Sequence, residues 1–510
     1  MSFQVDGRLV AVDDDGSSLL EVLRDRLGVR SPKDGCAPQG QCGCCTVLVD
    51  GHPRVACVTP ARRVAGRTVT TLDGLPEAER KAWADAFTAA GGSQCGFCTP
   101  GIIVRLAALR AAGGTDVDTA LLAHLCRCTG WQGVKEAFAR ITGAGPAAPS
   151  PRPGPEAGRR RAFLEGGAAQ DVGPAVALGR GGFADDTAPD DALVAVPAAS
   201  GGWAVGETLT EARARAGKVQ GRRTTIPLTH PLDVPPGDWA VTLRTTWVEP
   251  AYLEPDASWC APGGEPASPL GNGGAFGGKL ASVAPGVARR LADEYGRSVR
   301  VLLPREDVVR TGPKRPPVAA GVSVDGSGVI RVARTPGVAA AIARVAPGLV
   351  VEEVDVAGPP TSASVRAAGW AEAAVLLAAL RGDAAVVSPS GGRSEAAIRD
   401  DGSVAVRVWC GEALDEVVLR SYCVGAAHMA LGWVRSEGIA VGPDGVPHDL
   451  TIRSFGILRA RDMPEVDVEI ADRTGPATGV SDAVFAAVAA AAWRADGYRP
   501  AWPTRRAAIV

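Results

Sequence analysis

The first alternating stretch runs over residues 3–12, where FQV and LVAV flank Asp6-Gly7-Arg8. An Asp-Gly pair between two short apolar runs predicts a hairpin closed by a tight turn. Ser17 or Ser18 then stands before SLLEVLRDRLG. Its leucines at 19, 20, 23 and 27 share one helical face, so a helix is predicted from that cap to Gly28. After a cysteine-bearing loop, TVLVDG and RVACV predict two further short strands around a second Asp-Gly turn. From Pro76 the spacing turns helical in EAERKAWADAFTAAG, GIIVRLAALRAAGG, VDTALLAHLC and VKEAFARITG. A small β-rich domain over 1–74 therefore precedes a small helical one over 75–143.

From Gly143 to Gly158 the chain reads GAGPAAPSPRPGPEAG, too rich in proline and glycine to build a core, which predicts a semi-rigid linker over 144–164. Beyond it, strand-like pieces (ALVAV, WAVTLRTTWV, SVRVLL, SVAVRVW, EVDVEI) mix with alanine-rich helical ones at 281–295, 371–381 and 483–494. The expected class is α+β multidomain, with a mixed α/β second half divided into regions at 165–340 and 341–510. No short-period repeat is visible.

Length agrees with several domains, because one core rarely serves more than about 250–300 residues and the chain has 510. Lys plus Arg (54) nearly balances Asp plus Glu (56), without a block of like charge. Nucleic acid and anionic membrane surfaces are thus not expected partners. The N-terminus shows no basic segment followed by an apolar one, and no run of 18 apolar residues occurs, so a soluble, cytoplasmic protein is expected.

Cysteine changes the picture most. Nine of the twelve lie before residue 130, too closely spaced for a disulfide framework, and such crowding points to metal. The five histidines form no metal-binding pair, which leaves thiolate as the ligand set. In GCAPQGQCGCCTVLVDG, Cys36 is followed after five residues by Cys42, after two more by Cys45, and after eleven more by Cys57. A plant-type ferredoxin loop has four residues in its first gap and two in its second, so this loop departs by one. Gly35, Gly40 and Gly43 permit the chain to wrap a cluster. Cys44 competes with Cys45 for the third place, and the two-residue gap favours Cys45. The second set is split between Gln94-Cys95-Gly96-Phe97-Cys98-Thr99-Pro100-Gly101 and Cys126-Arg127-Cys128. Four-cysteine zinc is the alternative there, though a one-residue gap is less usual for zinc.

These two motifs in this order, CGCC with its distal Cys57 and then QCGFCTPG with CRCTGW, resemble the iron-sulfur portion of the xanthine dehydrogenase and aldehyde oxidase family of molybdenum hydroxylases, over residues 3–142. The resemblance implies a ferredoxin-like β-grasp followed by a four-helix bundle. It also implies two [2Fe-2S] clusters, one on Cys36, Cys42, Cys45 and Cys57 on the flavin side, the other on Cys95, Cys98, Cys126 and Cys128 on the molybdopterin side. In the second half, VEPAYLEP (248–255), GNGGAFGGKLASVA (271–284), GRSVRVLLPREDVVRTGPKRPP (296–317), SVRAAGW (364–370) and GPATGVSDAVFAAVAAAAW (475–493) are similar to ordered pieces of the molybdopterin-binding subunits of that family. Phe276, Gly277 and Gly278 would then be the molybdopterin-facing loop. Asp482 stands where the family places a glutamate general base, one methylene shorter.

The family's glutamine- and glycine-rich cofactor-holding segments are not found, and the second half is far shorter than a full molybdopterin subunit. A molybdopterin site in this chain is therefore in question. No GxGxxG follows a strand, so FAD is expected on a partner subunit, and a molybdopterin-binding subunit is a further expected partner. Two functions remain open: a hydroxylase-type subunit, with its substrate unidentified, or an electron-transfer protein whose second half is a scaffold without molybdenum. Cys260, Cys410, Cys423 and His428 read as core residues, and GRRR (158–161) as a solvated basic run.

Overall fold

A computed structural model describes residues 1–145, 153–218, 226–270 and 275–505. Part of the expected linker (146–152) and of the glycine-rich loop (271–274) lie outside the described residues.

The first domain is a five-stranded sheet ordered Arg8–Ala11, Ser2–Val5, Thr68–Thr70, Thr46–Val49, His52–Val55. Ser2–Val5 runs antiparallel to Arg8–Ala11 and parallel to Thr68–Thr70. In both predicted hairpin turns the Asp-Gly pair takes positive φ (Asp6 52°, Gly7 80°; Asp50 50°, Gly51 77°), the backbone that matches the twist of the flanking strands. Ser18 caps the predicted helix through the Glu21 amide, and Leu19, Leu20 and Leu23 are buried. The helix widens into a π turn over Val22–Arg26. Helical segments follow at Glu77–Ala89, Thr99–Ala111, Val117–Ala120 and Gln132–Ile141.

Among the described residues, the second half holds three four-stranded sheets. One combines Leu193–Pro197, Trp203–Gly206, Ala257–Cys260 and Val299–Leu302. Another combines Val241–Arg244, Val318–Val322, Gly328–Ala333 and Leu349–Val354. The division expected near residue 340 falls inside this second sheet, because Gly328–Ala333 pairs in parallel with Leu349–Val354 across a short connecting helix, Val338–Ala343. The third sheet, Ala385–Val387, Arg393–Ile398, Val404–Trp409 and Val466–Asp472, lies against the Ser481–Ala495 helix.

The linker expectation also needs correction. From Pro155 the chain is a helix, Pro155–Gly166, started by a proline in its first turn. It docks on the Glu416–Arg435 helix. Arg161, inside the basic run read as solvated, is fully buried. Its Nε donates to the Ala413 carbonyl, and its Nη1 to Glu165 at 3.0 Å and to the Thr478 carbonyl at 2.9 Å. Glu165 in turn accepts from the Val480 and Ser481 amides. Local composition could not announce this, because the partners lie about 250 and 315 positions away.

The Glu416–Arg435 helix is long and apolar enough to cross a membrane, yet 89% of its apolar window is buried inside the fold. His428 on it is fully buried and shares a 3.0 Å hydrogen bond between Nε2 and the Leu458 carbonyl, as a core residue. Cys260, Cys410 and Cys423 are buried too.

Arg161→Ala should lower stability by about 3–5 kcal/mol, read from the urea midpoint, because it strands the Glu165 carboxylate in the core. Burial holds His428 down at about 4, with Arg127 adding to the effect. The unfolded chain takes up this proton near pH 6.5, so stability should fall as pH drops from 6.5 toward 4, by up to about 3 kcal/mol. His428→Gln should flatten that part of the stability-pH curve.

Candidate metal centres

The first centre is built on the loop between the Val22–Arg26 turn and the Thr46–Val49 strand. Cys36, Cys42, Cys44, Cys45 and Cys57 are all at most 4% exposed. The thiol of Cys36 touches those of Cys42 and Cys57, and Cys57 also touches Cys45, so four sulfurs form one connected set. Cys44 touches only Cys42 among them and lies toward Cys95. Backbone amides point at the sulfurs: Gln39 and Gln41 at Cys36 Sγ (3.2 and 3.4 Å), and Cys57 at Cys45 Sγ (3.4 Å). Gly43 has φ 73°, and a Cβ there would stand 2.4 Å from the His124 ring, so no other residue fits.

The second centre joins the loop before the Thr99–Ala111 helix to the loop before Gln132–Ile141. Cys95 and Cys128 bring their sulfurs to 3.6 Å, and Cys98 touches Cys126. A separation of 3.6 Å is close to the edge of a tetrahedron around a metal with bonds of about 2.3 Å. Each pair therefore suits one metal, and two pairs suit a two-metal core.

The electrostatics agree. Contact with Cys42 and Cys57 pulls the Cys36 thiol down, and contact with Cys98 brings Cys126 to about 6, while contact with those neighbours pushes Cys42, Cys57 and Cys98 up. Without a counter-charge, one thiolate in each buried set opposes the next. Four together require a cationic centre.

The two centres touch. A Cβ on Gly101 would stand 2.3 Å from the Gly43 carbonyl and 2.9 Å from that of Cys44, and the Leu125 amide donates to the Cys42 carbonyl at 3.0 Å. The second half of the chain encases them. Gln39 bonds with Leu450 and Ile452, and Arg453 donates to the Gln41 carbonyl. Gln94 bridges the Cys128 carbonyl and Ser421, and Gly425 leaves room for that same carbonyl. Arg127 makes a two-pronged bond to Glu437 (2.5 and 2.7 Å), with both side chains at most 3% exposed. Sequence reasoning passed over Arg127 and Gln94, although their places within the cysteine motifs could have marked them.

Phe276, Gly277, Gly278 and Asp482 do come together, but around protein. Arg366 donates its amide to the Phe276 carbonyl (2.9 Å), lies 5.1 Å over the Phe276 ring, and pairs with Asp482 at 2.9 Å. A Cβ on Gly277 would stand 1.7 Å from the Ser364 carbonyl, and one on Gly278 would meet Tyr252 and Pro250. The cavity between Ala275, Lys279 and the sulfurs of Cys95, Cys98 and Cys128 measures about 10 Å³, enough for about one water. Among the described residues, this arrangement does not fit a molybdopterin.

A family profile described as a [2Fe-2S] binding domain matches residues 71–139. The xanthine dehydrogenase iron-sulfur-binding subunit of Escherichia coli O157:H7 is 39% identical over 124 residues, covering 23% of this chain and 77% of that one. The aldehyde oxidoreductase of Megalodesulfovibrio gigas is 41% identical over 149 residues, but these are 26% of this chain and only 16% of that longer protein. In fold, the whole chain is similar to the crystal structure of the aldehyde oxidoreductase from Desulfovibrio desulfuricans, with TM-score 0.68 at 15% identity over 99% of both chains.

Glu437→Ala should strand the Arg127 charge between Cys126 and Cys128 and cost about 3–5 kcal/mol. It should appear as a lower thermal midpoint together with early bleaching of the visible absorbance.

Proposed function

We infer, from a chain that belongs to the xanthine dehydrogenase and aldehyde oxidase family, that it is the electron-carrying component of an oxidoreductase of this type. It holds one [2Fe-2S] cluster on Cys36, Cys42, Cys45 and Cys57 and another on Cys95, Cys98, Cys126 and Cys128. When bound, each cluster supplies a site that takes up and releases one electron. The observation that carries this reading is the two buried groups of four thiols, one a run of contacts Cys42–Cys36–Cys57–Cys45 and the other the pairs Cys95–Cys128 and Cys98–Cys126, whose loops meet at Gly43, Cys44 and Gly101. The amides of Gln39, Gln41 and Cys57 stabilise thiolate sulfur, while the casing from the second half keeps water away. Cys44 is not a ligand in this reading: it lies outside the run of contacts Cys42–Cys36–Cys57–Cys45 and rests against Cys42 at one end of it.

The second half is proposed to act as a scaffold that seals the clusters and meets partner subunits. Arg366 holds Asp482 in an ion pair, and the tight packing of Phe276–Gly278 supports the same view. FAD belongs on a partner, as does molybdopterin. Relatives named as iron-sulfur subunits of xanthine and nicotinate dehydrogenases support such an assembly.

The purified chain, produced in cells able to make molybdopterin, should carry about four irons and substoichiometric molybdenum. Reduction should give two distinct one-electron paramagnetic signals. Cys42→Ser should remove one signal, Cys98→Ser the other, and Cys44→Ser neither. Stoichiometric molybdenum with aldehyde or purine turnover that vanishes in Asp482→Ala would refute the scaffold role, and a single signal would refute the two-cluster reading.

A further inference from the structure

Resting on the two-cluster reading, we propose that Arg305 is a positioning residue that raises the reduction potential of the cluster on Cys36, Cys42, Cys45 and Cys57, its guanidinium charge favouring the reduced form. Arg305 opens the Arg305–Thr311 helix and is completely buried. Its Nη2 donates to the Gly35 carbonyl at 2.6 Å and to the Leu253 carbonyl at 2.9 Å. Gly35 directly precedes Cys36, and a Cβ on it would stand 3.0 Å from the sulfurs of both Cys42 and Cys44. The guanidinium therefore clamps the backbone that walls the first thiol set, from a segment 270 positions away.

The other two nitrogens, Nε and Nη1, have no hydrogen-bond partner. Nearby carboxylates are engaged elsewhere: Glu254 with Lys279, Glu249 with Lys314, Asp307 with Lys218, and Asp256 with the Tyr252 hydroxyl. The Tyr252 ring lies 5.8 Å away and offers only a weak attraction. A buried cation with two idle donors is costly unless a negative charge answers it. Four thiolates on an iron-sulfur core are such a charge, and one more electron makes it more negative. A fixed cation in a dry surrounding then favours the reduced state by Coulomb attraction.

The test is a redox titration of the full, cluster-loaded chain, with dithionite as reductant and mediator dyes, followed by paramagnetic resonance. The first-cluster signal is the one lost in Cys42→Ser. Arg305→Gln, which keeps amide donors but removes the charge, should lower the reduced-to-oxidised ratio of that signal at fixed potential by tenfold or more, 59 mV for one electron. The other signal should move less than threefold, and Arg305→Lys, which keeps the charge, should leave the first within threefold of the parent. An unshifted first signal in Arg305→Gln, or equal shifts in both signals, overturns the proposal. If Arg305→Gln fails to assemble the first cluster, Arg305→Lys decides: a parent-like midpoint supports the role, and a tenfold fall or a failure to assemble overturns it. A parent protein with a single signal overturns the two-cluster reading and this proposal with it, whereas two signals without a shift overturn this proposal alone.

Discussion

Several thiolates crowded into a dry space repel one another strongly unless positive charge stands among them, and the surroundings of the two cysteine sets follow from that constraint. Glycines at 35, 43 and 101 let backbone approach where a side chain would collide with sulfur, imidazole or carbonyl. Backbone amide groups face Cys36 and Cys45. The charged residues closest to the motifs are tied down: Arg127 by Glu437, and Lys33 by Asp186. Left loose, either cation would be free to pair with thiolate.

The second half explains how such sites stay dry. The first 143 residues alone would present Gln39, Gln41, Gln94 and the Cys126–Cys128 loop to solvent. In the full chain, residues from 421 to 453 bond to each of them. An ionic seam reinforces the join, with Arg24 on Asp185 and Asp186 and Arg300 bridging Asp25 and Asp185. Phe276–Gly278 and Asp482 have been drawn into the same packing through Arg366. The space beside Cys95, Cys98 and Cys128 is about the size of one water.

By itself the sequence determined what depends on neighbours in the chain. The Asp-Gly hairpins, the Ser18 cap, the helices after Pro76 and the spacing of the cysteines involve residues within a few positions of one another, and turn chemistry and helical period report them directly. The choice between Cys44 and Cys45 was half legible, as a gap length; the fold adds that Cys57 rests against Cys45 and that Cys44 rests against Cys42. Tertiary structure alone decided what depends on distant partners: that Pro155–Gly166 is a docked helix and Arg161 a buried strut, that one sheet spans residue 340, that Glu437 answers Arg127, and that Arg305 sits idle-handed behind Gly35. Composition could not separate these arginines from solvated ones. A charge is bound or free according to what the fold brings within about 3 Å of it, and that is settled only when segments hundreds of residues apart are packed together.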